Sequence, residues 1–175
     1  MPTVAEKSVY EQSIYNAARA GTTNPGLPDL LAELLVAQAK HESGNFDSRA
    51  FIQGFNAFGY SYVPGAVWQT GEPGLIADNG QPVAKYKSVA DSTREIVDWI
   101  YRRVKEGKFP RDLSTITTPE QYAKLLKDAG YYGDTVSNYA GGLRRFFGGS
   151  SSWVGILLLV GAGYAFWKFI INKGK

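Results

Sequence analysis

Leu35-Val-Ala-Gln-Ala-Lys-His-Glu-Ser-Gly-Asn-Phe46 closes a run of helix-forming residues that begins at Asp29. On a helix from Asp29 to about Ser43, residues Leu31, Leu34, Leu35, Gln38 and Glu42 recur at steps of three and four and share one face. Gly44 then supplies a stop. Glu42 is thus the last residue of an otherwise apolar stripe. A carboxyl there is partly withdrawn from water and faces the negative end of the helix dipole, and both effects disfavour ionisation. A raised pKa is what a general acid working near neutral pH requires. The plainer alternative is a solvated charge at a helix end. His41 points about 100° away around the helix and reads as a rim or packing residue.

Outward from this helix the chain is clearly punctuated. Ala5–Ala20 is expected to be helical, with Tyr10, Ile14, Ala17 and Ala18 on the apolar side and Gly21 as its stop. Residues 54–87 hold Gly54, Gly59, Gly65, Gly71, Gly74 and Gly80 between short apolar pieces. They read as loops and one small hairpin turning at Asp78-Asn-Gly-Gln81. Ser88 and Asp91 resemble a capping box for a helix to about Lys105, and Thr118-Pro-Glu-Gln121 opens another that Gly130 ends. A last helix is expected over 134–147. The basic run Arg102-Arg103-Val-Lys105 mixes with Glu95 and Glu106 and reads as a solvated helix face.

Composition removes several classes of function. The 175 residues include no cysteine and one histidine, so thiolate chemistry is excluded and a zinc or haem site is not expected. Of 19 Lys+Arg against 16 Asp+Glu, the excess lies wholly in Lys168, Lys173 and Lys175. A neutral main domain has no footprint for a phosphate backbone, so no nucleic-acid partner is expected. From Phe146 to Trp167 no residue is charged, a span of roughly 33 Å if helical, close to a bilayer's hydrocarbon thickness. Trp153, Tyr164 and Trp167 suit the two interfaces, and Arg144, Arg145, Lys168 and Lys173 the headgroups. Residues 153–171 therefore read as a single membrane anchor, preceded by a hinge at 148–152 and followed by a basic tail at 172–175. Gly155, Gly161 and Gly163 permit close helix contacts there, including homo-oligomeric ones.

Ala37-Gln-Ala-Lys-His-Glu-Ser-Gly44 followed by Asn56-Ala-Phe-Gly-Tyr60 resembles the peptidoglycan N-acetylglucosaminidases of glycoside hydrolase family 73, which include flagellar-rod hydrolases and autolysins. Tyr86 and Ser88, Leu126-Lys-Asp-Ala-Gly-Tyr131 and Asn138-Tyr-Ala140 are similar to later elements of that family, in the same order. The resemblance spans roughly residues 29–143. It implies an α+β, mostly α, lysozyme-like domain over residues 1–147, followed by the single transmembrane helix. It also implies hydrolysis of the β-1,4 bond of peptidoglycan glycan strands, with no cofactor and no metal. Glu42 becomes the catalytic acid. A second carboxylate falls on Glu72 of Thr70-Gly-Glu72, with Asp78 in reserve; the substrate's own acetamido oxygen is the other source of anionic support. Asn56 and Phe58 are expected to shape the groove floor. Tyr60 and Trp68 are expected as sugar platforms, and Tyr131, ahead of Tyr139, as a partner of the acid or the sugar.

Two other functions remain open at this level. A lytic transglycosylase also uses a lone Glu in a Glu-Ser-x-Phe setting, and leaves an anhydro ring where a hydrolase adds water. An inactive glycan-binding or structural virion membrane protein would keep the fold without the chemistry. Met1-Pro-Thr-Val-Ala-Glu-Lys7 reads as no secretory signal, although peptidoglycan lies outside the cytoplasmic membrane. A bacteriophage lytic enzyme, held in the virion membrane or the host inner membrane and used in entry or lysis, reconciles the two.

Overall fold

Helix starts follow their caps closely in the computed structural model, which describes residues 1–148. Thr3 opens α1 (Val4–Ala20) with a full capping box: its hydroxyl accepts from Glu6 N–H, and the Glu6 carboxylate accepts from Thr3 N–H at 2.7 Å. Gly21, at φ 72°, ends it. Helix α2 (Asp29–Glu42) starts after Pro28 without a side-chain cap. Ser48 caps a short α3 (Arg49–Gly54), which the sequence reading did not foresee. The expected hairpin is present, with β1 (Leu75–Ile76) antiparallel to β2 (Pro82–Val83) across the Asp78–Gln81 turn.

Ser88 caps α4 (Val89–Lys105) by accepting from Asp91 N–H, but the Asp91 carboxylate takes the Ser88 hydroxyl rather than its N–H, so the box is half formed. After a 3-10 turn at Leu113–Thr115 comes α5 (Pro119–Asp128), whose Thr118–Gln121 box is complete. The last helix, α6 (Val136–Arg144), is shorter than the expected 134–147, because Thr135 caps it at one end and at the other Phe146 and Phe147 N–H both bond the Leu143 carbonyl.

Helix α2 is the centre of the packing. Helix α1 lies against α2 and α4, while α6 bridges α2 and α5, and the 3-10 turn also touches α2. In consequence every residue from Leu31 to Ala39 except Glu33 is buried. The expectation of one apolar stripe therefore understates this helix: neighbours cover it on all sides, and Gln38 is enclosed with the rest. Around it the core gathers Ile14, Phe46, Phe51, Phe58, Ile96, Ile100, Tyr122 and Leu126.

A polar clamp holds the periphery. Asp98 on α4 accepts from the Thr22 hydroxyl, from Asn24 Nδ2 at 3.0 Å and from Trp68 Nε1 at 2.8 Å. Among the described residues no helix is long and apolar enough to cross a membrane. The expected anchor at 153–171, its tail and all of the hinge but Gly148 lie outside the described residues.

Leu35→Ala removes a fully enclosed side chain from α2 and is expected to lower the unfolding free energy by about 3 kcal/mol in urea denaturation. Leu30→Ala on the same helix, where the side chain is 43% exposed, should cost under about 0.5 kcal/mol.

Candidate active site

Glu42 ends α2, and the chain leaves it through an unusual turn. Gly44, Asn45 and Phe46 all have positive φ (59°, 59° and 68°), a conformation that disfavours side chains, bulky ones most. Four hydrogen bonds and a buried ring hold the turn. Ser43 Oγ donates to the Ala39 carbonyl and accepts from Phe46 N–H at 2.9 Å. Asn45 N–H donates to Lys40 O, and Ser48 N–H to Ser43 O. The Phe46 ring is fully buried against Tyr10 and Phe51, with centroids 5.7 and 5.0 Å away. Burial of that ring offsets the backbone cost and fixes the end of α2, hence the carboxyl of Glu42.

The two oxygens of that carboxyl have different surroundings. Oε1 accepts a short hydrogen bond from the Tyr139 hydroxyl of α6. Oε2 has no protein donor among the described residues and faces Gly59, where an added Cβ would come within 3.5 Å of it. Gly59 has φ 68° and so suits glycine on both counts. Burial pushes the Glu42 carboxyl above its ordinary pKa, against the smaller opposing effects of the Tyr139 hydrogen bond and His41. Burial and the nearby Glu42 push the Tyr139 hydroxyl up as well, so it stays protonated and donates.

Aromatic packing fixes Tyr139. Tyr132 stacks on it with centroids 3.9 Å apart and planes 7° from parallel, and His41 meets it edge-on at 5.0 Å. His41 rests on Gly142, where a Cβ would collide with the imidazole at 2.4 Å. His41 is thus a packing residue at the rim. One turn before Glu42, Gln38 Oε1 accepts from the buried Tyr122 hydroxyl at 2.6 Å.

Most of the other expected residues assemble here. The Asn56 amide donates to the carbonyls of Tyr60 (2.8 Å) and Ala84 (3.2 Å), and its oxygen accepts from Tyr60 N–H. It thereby fixes the loop that carries Phe58 and Gly59 past the acid. Phe58 is buried, and its carbonyl accepts from the Tyr131 hydroxyl. The Tyr131 ring packs edge-on against Tyr60 at 6.2 Å and Trp99 at 5.3 Å. It is Tyr139, ranked second from the sequence, that reaches Glu42.

Trp68 and Glu72 are tied elsewhere. The Trp68 indole donates to Asp98 and its ring lies under Arg94, while exposed Glu72 pairs with Lys85 at 3.2 Å. Among the described residues no contact joins either to Glu42, and Asp78 lies exposed in the hairpin turn. No group of three or more His, Asp or Glu among them could hold a metal ion. Gly59, Tyr132 and Gln38 were missed as contributors. Gln38 carried a sequence signal in its place on the Glu42 face of α2, and Gly59 in the Asn56–Tyr60 motif, where no role was given to it.

Residues 27–148 match the protein-family model described as Glucosaminidase: Mannosyl-glycoprotein endo-beta-N-acetylglucosaminidase. No curated protein matches the chain. Among solved structures, a chain of a type VI secretion system effector–immunity complex from Pseudomonas protegens is similar at 19% identity and TM-score 0.54, over 82% of this chain and 92% of that one. A peptidoglycan hydrolase from Sphingomonas sp. A1 is similar at 22% identity and TM-score 0.50, over 84% of each chain. The mostly helical α+β fold is shared with both.

Raising the folded-state pKa of Glu42 means that ionising it costs folded stability. That stability is fully present below the unfolded-state value and is lost as pH rises through the folded one. Glu42→Gln should therefore raise the melting temperature at pH 7, with the gain disappearing below about pH 4, where the carboxyl is protonated in both states.

Proposed function

Since the chain belongs to the glucosaminidase family, we propose that it hydrolyses the β-1,4 bond of peptidoglycan glycan strands with Glu42 as the general acid. One observation carries this reading: Glu42 keeps one carboxyl oxygen engaged by Tyr139 and the other open past Gly59, in surroundings that favour the protonated form. A glycan strand laid across Gly59 presents its bridging oxygen to Oε2. The proton moves from Oε2 to that oxygen as the bond to the anomeric carbon breaks, and an oxocarbenium-like centre develops. Tyr139 stabilises the carboxylate left behind, through a hydrogen bond that strengthens as charge appears on Glu42. Water completes the reaction at the anomeric carbon. Tyr60 and Tyr131 border the Phe58–Gly59 loop and are proposed to line the groove.

For the second catalytic group we propose Glu72. It stands in the Gly- and Pro-rich insertion, paired with Lys85 on the surface, and Thr70-Gly-Glu72 resembles the family's pattern at this place. If the strand's own acetamido oxygen supplied the anionic support instead, Glu72 would be dispensable.

Turbidity loss of purified cell walls checks both roles. Glu42→Gln should abolish clearing, a drop of about 1000-fold or more, and Glu72→Gln should reduce it about 100-fold. Clearing that survives Glu42→Gln removes the acid assignment, and an unaffected Glu72→Gln transfers the second role to the substrate. Reducing-end analysis of the products separates water addition from anhydro-ring formation by a transglycosylase.

We propose further that residues 153–171 anchor the domain in a membrane, as their length, their aromatic ends and the absence of charge from Phe146 to Trp167 support, with Lys168 at the headgroup end. The setting proposed is a bacteriophage lytic enzyme in the virion membrane or host inner membrane. In fractionated infected cells and purified particles the full chain should sediment with membrane and resist alkaline carbonate. Leu158→Asp should release it to the supernatant.

A further inference from the structure

Gln38 is fully buried on α2, yet only half of its amide is used. Oε1 accepts from Tyr122, whereas Nε2, out of reach of water, has no hydrogen-bond partner among the described residues and faces the Tyr139 hydroxyl. An enclosed amide with an unmet donor is costly, about 1–3 kcal/mol, unless that donor serves another group. Beyond that donor stands Tyr139, whose hydroxyl reaches Glu42.

We propose that Gln38 is a positioning residue: its amide N–H, directed onto Tyr139 Oη, commits the hydroxyl hydrogen to Glu42 Oε1 and so leaves the transferable proton on Oε2. The inference rests on the reading of Glu42 as the acid. The direction of the chain follows from its fixed end. Tyr122, buried on α5, donates to Gln38 Oε1 and so turns the NH2 group toward Tyr139. With the amide N–H turned toward Tyr139 Oη, the hydroxyl's own hydrogen has one acceptor among the described residues, Oε1. Each bond in such a chain polarises the next. Oε1 is thereby kept as an acceptor through the catalytic cycle, and proton exchange is confined to the oxygen that faces Gly59.

The groups that face the Glu42 carboxyl are His41 from its own helix, Tyr122 from α5, Tyr131 from the segment after α5, and Tyr139 from α6. The tyrosines are pushed up by burial and remain neutral over the working range, and His41 is common to every variant compared, so a difference in the Glu42 titration between variants reports on the hydrogen bonds it receives. The Tyr139 bond lowers the Glu42 pKa, and weakening it must raise that value.

The test is an NMR titration of the Glu42 side-chain carboxyl in the full chain without substrate, set beside the pH profile of wall clearing. Gln38→Met keeps the side-chain volume and removes both polar atoms. It should raise the Glu42 titration by a few tenths of a pH unit and move the alkaline limb of activity up with it. The kcat should fall about tenfold with KM unchanged. In a Tyr139→Phe background the same substitution should shift the titration no further, because its effect passes through the hydroxyl.

Tyr122→Phe, which frees the amide to turn, should give a smaller upward shift and serves if Gln38→Met does not fold. An unchanged titration, an equal shift in the Tyr139→Phe background, or a downward shift overturns the proposal. The last result would mean that Gln38 Oε1 competes with Glu42 for the tyrosine hydrogen. Failure of the wild-type chain to clear cell walls would instead strike the hydrolase reading, and the substrate-free titration would still decide the role of Gln38.

Discussion

Removing a carboxyl from water is expensive, and the domain is arranged around one place where that cost is useful. Helix α2 is enclosed along most of its length by α1, α6 and the 3-10 turn. Its final residue, Glu42, emerges at the boundary of that enclosure, buried enough to resist ionisation and with one oxygen facing Gly59. The apolar residues of α2 thus stabilise the fold and set the chemistry of its last side chain together. The left-handed exit through Gly44, Asn45 and Phe46 belongs to the same arrangement. It is held by a buried ring and a buried serine, and it keeps the helix from fraying at the one position where fraying would rehydrate the acid.

Much of this architecture was legible in the residues. Caps written into the chain, such as Thr118 with Gln121, and stops such as Gly21 and Gly130 are local devices acting over three or four residues, and they appear where the sequence places them. The hairpin turn at 78–81 is local too. What was not legible depends on partners distant in sequence. α2 shows an apolar stripe when read alone, but its polar side is also covered, because α6 arrives from about a hundred residues later. Helix α3 is only six residues long, too short for periodicity to declare it, although Ser48 as its cap was available as a signal.

The site divides along the same line. The partial burial of Glu42 could be read from its position at the end of the stripe, and the assembly of Asn56 and Phe58 beside it from the motif that follows. The ordering of the tyrosines could not. Tyr131 and Tyr139 are both aromatic positions near helix ends, and only the packing of α6 on α2 decides which hydroxyl meets the carboxyl. Gly59 became meaningful only when its missing side chain was seen to leave Oε2 clear.

Asp98 gathers donors from Thr22 and Asn24, in the loop that launches α2, and from Trp68, near the root of the insertion. One carboxylate therefore moors two segments more than forty residues apart in the chain to the same point on α4. Glu72 stands four residues beyond that mooring, on the seaward side of it. Thr70 N–H and Gly74 N–H bond to the Lys85 and Val83 carbonyls on either side of Glu72, so the insertion is gripped by α4 at Trp68 and by its own returning strand beyond it, and it holds its shape without a core of its own.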